Sequence, residues 1–114
     1  MTYIVIESIG GSVTSEALSC LALGGVLITL GYSAGRKSTI DLTDLIWKRA
    51  RMAGFSLFAQ TPTTIAAAWR DIIPLIVGGS AKSIVERVYP VGEAGEALRH
   101  LIEDRPFGKV VLKG

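Results

Sequence analysis

Cysteine and histidine are almost absent, with Cys20 and His100 the only copies in 114 residues. A lone cysteine builds no disulfide framework, and one residue of each kind cannot form a zinc site of clustered Cys and His. The chain therefore reads as metal-free and intracellular, with a cytoplasmic location expected. A basic n-region is also missing: Met1 is followed by TYIVIES, which meets Glu7 almost at once, so no secretory signal is expected. Charge is sparse and mixed. Twelve Lys and Arg against ten Asp and Glu leave a net charge of +2, and the basic residues scatter from Arg36 to Lys113 with no stripe of interleaved aromatics. That pattern argues against a nucleic-acid partner. Finally, no G-x-G-x-x-G spacing occurs anywhere, so the usual dinucleotide pyrophosphate turn is not in this sequence.

What is present is apolar. Residues of the AVILMFWYC set make up 49% of a chain that has the length of one domain. So small a domain has little burial to spare, and its richness in apolar residues implies surface that meets something other than water. One run, ALSCLALGGVLITLGYSAG between Glu16 and Arg36, carries no formal charge and approaches the length of a bilayer span. Its periodicity argues against a span. Thr14 or Ser15 can cap a helix with Ala17, Leu18, Leu21 and Ala22 on one stripe, which Gly24 and Gly25 would close. The following VLITL (26–30) fits a strand buried on both faces, ended by Gly31.

The same alternation runs through the rest. TYIVIES (2–8) reads as a continuous apolar strand, and Asp41 or Thr43 opens a short helix through Lys48. RMAGFSLFA (51–59) reads as a third strand broken at Gly54, and Pro62 starts a long helix with a kink or early end expected at Pro74. An extended segment over 82–91, a helix over 93–103 and a strand at KVVLK (109–113) complete the chain. Strands alternating with helices predict an α/β fold with a partial Rossmann-like parallel sheet and flanking helices. We divide it into 1–80, a partial dinucleotide-binding domain, and 81–114, a terminal helix–strand segment.

Open parallel sheets bind ligands beyond the carboxyl ends of their strands. Three loops qualify: Ser8 to Gly11, Gly31-Tyr32-Ser33-Ala34-Gly35, and Gly54 to Phe58. Their glycines either simply end strands or let a ligand approach the backbone, and the Ser and Tyr hydroxyls suit a ribose or an amide. Tyr32 and Ser33 are plain hydrogen-bonding groups or a proton relay. Arg36 and Lys37, like Arg49 and Arg51, are solvated charges or phosphate contacts. Cys20 reads as a small buried hydrophobe, His100 as a solvated histidine on the polar side of its helix, and Trp47 and Trp69 as core or subunit packing.

Taken in order, IESIGG, LALGGVLITLGYSAG, DLTDLIWKRARMAGFSL and YPVGEAGEALRHLIEDRPFGKVVL resemble the C-terminal part of medium-chain dehydrogenase/reductases, especially the zinc-free NADPH-dependent quinone oxidoreductase branch. The resemblance covers nearly the whole chain and corresponds to about the last third of such an enzyme. It implies strands four to six of the dinucleotide-binding fold, followed by the return to the catalytic domain. It further implies contacts to NADPH, with NADH as an alternative, from Ser8, Gly10, Gly11, Gly31, Tyr32, Ser33, Gly35, Gly54, Phe55, Ser56 and Leu57. Lys109 is implied near the cofactor phosphates. The expected chemistry is hydride transfer to a quinone or an activated carbonyl or alkene, with this chain inactive alone because the pyrophosphate turn lies outside it. In the family's strand order the 2–8 strand would leave an open apolar edge here. A homo-oligomer through that strand or the 52–59 strand, the N-terminal half supplied in trans, or cover from KVVLK would relieve it. The other reading is a non-catalytic module acting through oligomerisation or partner docking.

Overall fold

The computed structural model describes all residues 1–114 and divides into two compact units, Met1–Gln60 and Thr61–Gly114. The first unit holds β1 (Thr2–Glu7), α1 (Ser12–Ser19), β2 (Leu21–Thr29), α2 (Leu42–Lys48) and β3 (Arg51–Gly54). The three strands form one parallel sheet in the order β1-β2-β3. Helices between parallel neighbours are what the α/β alternation requires. The core is small: Leu18, Leu21 and Leu27 are fully buried, and Val5, Ala17, Ile40, Leu45 and Ala50 pack against them. α2 starts where expected, its N-cap Asp41 accepting from the Thr43 N–H at 2.9 Å.

The Gly24-Gly25 pair does not close a helix. α1 begins at once after Gly11, the N-cap at φ 57°, and ends at Ser19. Leu21 and Ala22 therefore belong to β2, and the two glycines lie inside that strand. There β1 and β2 lose step, with Thr2 opposite Leu21 and Ile4 opposite Val26. Gly24 at φ 76° supplies the conformation such an irregularity needs. Thr14, expected as a cap, is a buried helix residue whose hydroxyl is engaged elsewhere. The third strand is shorter than the sequence suggests: after Gly54 the chain leaves the sheet and makes a 3-10 turn, Leu57–Ala59.

β1 is not buried on both faces. Tyr3, Ile4 and Ile6 are exposed, and only one side of the strand is paired. Cys20, expected to be buried, is exposed at the C-cap of α1.

The second unit contains α3 (Pro62–Val77), β4 (Val85–Pro90), α4 (Ala94–Arg99) and β5 (Lys109–Lys113). Thr61 caps α3 by accepting from the Thr64 N–H, and the helix continues through Pro74 to Val77, so that of the kink or early end expected there the early end does not occur. Proline in the final turn removes a single backbone donor, which the helix tolerates there. No residue of α3 is buried, and Trp69 is half exposed; Trp47 on α2 is more exposed still. β4 and β5 pair in parallel, so KVVLK lies on β4 rather than on the free edge of β1. The helix expected over 93–103 is composite: a 3-10 turn at Val91–Glu93, then α4, then a π-helical turn at His100–Asp104.

Candidate functional site

The carboxyl ends of the three strands of the first unit stand level. Glu7 pairs with Thr29, and Thr29 pairs with Gly54. The loops that leave these positions line one cleft of about 1020 Å3, formed by Ser8, Thr29 to Ser33, and Gly54 to Phe58. Its wall is mixed: the Ser8, Ser33 and Ser56 hydroxyls and the Tyr32 phenol beside Phe55, Leu57 and Phe58. The Arg36 guanidinium lies 5.8 Å from the Tyr32 ring centroid. At that distance a cation is attracted to the ring face and steadies it.

The glycines differ in what they permit. A Cβ on Gly31 would stand 2.3 Å from the Ser8 carbonyl oxygen, so the second loop touches the first backbone to backbone. A Cβ on Gly10 would be 2.4 Å from the Gly35 oxygen, at a φ of +76°. Gly54, by contrast, faces open space with nothing within 4 Å. Thus two glycines serve loop packing, while the third stands open at the cleft. The Leu30 N–H donates to the Glu7 carbonyl at 2.9 Å where β1 ends, and two backbone bonds tie the first two loops together: Ala34 N–H to Ile9 at 2.7 Å and Gly11 N–H to Gly35 at 3.0 Å.

Ser8, Gly31, Tyr32, Ser33, Gly54, Phe55, Ser56 and Leu57 thus come together around the cleft. Gly10, Gly11 and Gly35 line an adjoining hollow of about 240 Å3 with Gly31, Tyr32, Arg36, Lys37 and Ser38. Lys109 lies in the other compact unit, at the start of β5, where its N–H donates to the Ile84 carbonyl at 2.7 Å.

Sequence reasoning missed two charged centres. Glu7 is buried at 4% exposure, its carboxylate accepting from the Gly10 N–H at 2.6 Å, from the Ile9 N–H, and from the Thr14 and Thr29 hydroxyls at 2.9 and 3.3 Å. The Gly10 N–H holds the carboxyl below its ordinary pKa; burial opposes this, and Ile9, Thr14 and Thr29 reinforce it. The only signal in sequence is a carboxylate ending an apolar strand just before two glycines. The second centre is His100, which is not solvated: Nε2 lies 2.8 Å from Glu86 and Nδ1 2.7 Å from Asp104. The hydrogen bond to Glu86, then that to Asp104, raises its pKa against the opposing effect of burial.

The sequence model of the zinc-binding dehydrogenases matches residues 3–112. The chain belongs to this family. It is 27% identical, over 96% of its length, to a zinc-type alcohol dehydrogenase-like protein of Schizosaccharomyces pombe, and covers 31% of that protein. It is 23% identical to the bovine quinone oxidoreductase-like protein 2, again over 96% of its length and 32% of that protein. Among solved structures, the 2-octenoyl-CoA carboxylase reductase CinF in complex with NADP and 2-octenoyl-CoA superposes with a TM-score of 0.77 at 29% identity, over 96% of this chain and 24% of that one. The chain thus spans about a third of the curated relatives' length and represents the C-terminal part of a medium-chain dehydrogenase/reductase. No group of three His, Cys, Asp or Glu side chains in this chain is placed to hold a metal ion, since Glu86 and Asp104 meet opposite nitrogens of His100. No helix is long and apolar enough to cross a membrane.

Proposed function

We propose that this chain supplies the nicotinamide-side wall of the cofactor site in an NAD(P)H-dependent oxidoreductase of the quinone oxidoreductase type. The observation that carries this reading is the level ending of β1, β2 and β3, with all three following loops lining one cleft. The residues fit such a group: the open space at Gly54 admits a flat ring close to the backbone, and the hydroxyls of Ser8, Tyr32, Ser33 and Ser56 suit a ribose and a carboxamide. Phe55, Leu57 and Phe58 supply apolar cover that excludes water from the reacting face. When bound, the nicotinamide supplies the hydride for reduction of a quinone or an activated carbonyl or alkene. NADPH is the preferred form, in keeping with the NADP held by CinF. Lys109 is assigned to the cofactor phosphates on the family resemblance alone. The chemistry is zinc-independent in this proposal, and the location cytoplasmic.

Titration of the purified chain with NADPH and NADH by calorimetry tests the reading. Weak saturable binding, with NADPH favoured, and no quinone turnover by this chain alone are the expected results. Absence of heat with either nucleotide at millimolar concentration overturns the cofactor assignment.

A second reading, a non-catalytic module that works through oligomerisation or docking, draws on the exposed apolar side chains of β1 and α3. It predicts a defined oligomer and no nucleotide binding.

A further inference from the structure

The most completely bonded buried charge in the chain lies beneath the cleft rather than in it. Glu7 has four donors, two from the turn that follows it and one each from α1 and β2. A carboxylate so enclosed is far more demanding of its surroundings than a neutral side chain, because each lost donor leaves a buried lone pair unmet. Its Oε1 holds the N–H groups of Ile9 and Gly10, which fixes the Ser8–Gly11 turn. The Gly31–Gly35 loop hangs on the same turn through the Ala34 to Ile9 and Gly11 to Gly35 bonds and through the close approach of Gly31 to Ser8. Its Oε2 holds Thr14 on α1 and Thr29 at the end of β2. One carboxylate therefore sets two of the three loops that border the cleft.

We propose that Glu7 is a positioning residue of the cleft: its carboxylate holds the Ser8–Gly11 turn, and through it the Gly31–Gly35 loop, in the shape that admits the nicotinamide half of the cofactor. This rests on the cofactor reading above. Glu7 touches no ligand in this account and acts through backbone it holds. A glutamine of the same shape keeps one accepting oxygen but turns an NH2 toward the Thr14 and Thr29 hydroxyls, removing the charge and forcing those donors to reorient.

The test compares the wild-type chain with Glu7→Gln, Glu7→Asp and the milder Thr14→Val. NADPH affinity is read by calorimetry and backbone amides by NMR. Loss of a charge-assisted network predicts about tenfold weaker NADPH binding for Glu7→Gln. A smaller loss is expected for Thr14→Val, and Glu7→Asp should recover part of what glutamine loses. Amide shifts should concentrate at residues 8–11 and 31–35, leaving Leu27 in the core unmoved. A purely structural role would instead shift amides across the sheet and gain nothing from aspartate. Unchanged NADPH affinity in both Glu7→Gln and Thr14→Val overturns the proposal. Should the wild type bind no NADPH, the cofactor reading falls. The amides then decide the part that does not depend on the cofactor, that Glu7 sets the two loops: it stands if, beyond the substituted residue and its immediate neighbours, the shifts of Thr14→Val concentrate at 8–11 and 31–35, and falls if they do not.

Discussion

Gly31 and Gly54 follow neighbouring strands and carry opposite demands. Gly31→Ala places a methyl group 2.3 Å from the Ser8 carbonyl, a contact between two backbones that neither can relieve by rotating a side chain. Overpacking of this kind costs about 1–3 kcal/mol, so a melting point lowered by several degrees is expected in calorimetry. Gly54→Ala meets nothing within 4 Å. Its stability should stay within about 0.5 kcal/mol of wild type, while the new methyl group intrudes on the cleft and weakens NADPH. Loss of stability without loss of affinity at Gly54 would reverse the roles assigned here. The residue scale is also where sequence said least. A glycine after a strand reads the same whether it packs a loop or opens a pocket, and only the neighbouring backbone separates the two. Glu7 was legible only in part: its place before two glycines hints at the Ile9 and Gly10 donors, whereas its partners Thr14 and Thr29 lie 7 and 22 residues away.

Among elements, the turn His100–Asp104 is fastened to β4 by one imidazole between two carboxylates. Carboxylates only accept, so both bonds at once require the doubly protonated ring; neutral histidine has a single N–H to offer. Because the pKa of His100 is raised above its ordinary 6.5, the stabilisation is complete below that value and disappears as pH rises through the folded one. The other charged groups on the elements packed here are Arg87 on β4, Glu93, Glu96, Arg99, Glu103 and Arg105 around the helix, and Lys109 and Lys113 on β5. Of these, Arg99 is paired with Glu96 and Arg87 lies over Tyr89, and neither meets the imidazole. Thermal melts from pH 5.5 to 8.5 should show stability falling with pH, and His100→Gln should flatten the slope. A wild-type curve that rises across this range contradicts the assignment. Element boundaries show what periodicity can carry. α2 and β5 were legible because a cap or an apolar run marks each without competition. α1 and β2 were not, because Leu21 and Ala22 satisfy a helical stripe and a strand equally, and Gly24-Gly25 mark a helix end and a strand irregularity with the same letters. The π-helical turn has no sequence marker beyond the ordinary 3.6-residue stripe it interrupts.

For the molecule as a whole, the parallel α/β architecture followed from the alternation of runs, whereas the extent of uncovered apolar surface did not. Tyr3, Ile4 and Ile6 on β1 stand 64–70% exposed beside an unpaired strand edge. Such an edge is a template for pairing, and we expect a second copy of the chain or a separate polypeptide to cover it. Sedimentation equilibrium at micromolar concentration should show a dimer or larger species. Ile4→Lys, which places a charge on that edge, should shift the distribution toward monomer without changing the fold by circular dichroism. A clean wild-type monomer contradicts the expectation. The irregularity in β2 has its own consequence. Between Leu21 and Val26 the strand holds more chain than its neighbour requires, and Gly24 projects into open space, whereas the pairing from Ile4–Val26 to Glu7–Thr29 runs in step. Slack at one end of a strand and strict register at the other make Leu23-Gly24 the natural point of entry for added sequence. A short epitope inserted there would be absorbed before it reached Thr29, giving a handle on the molecule that leaves the cleft untouched.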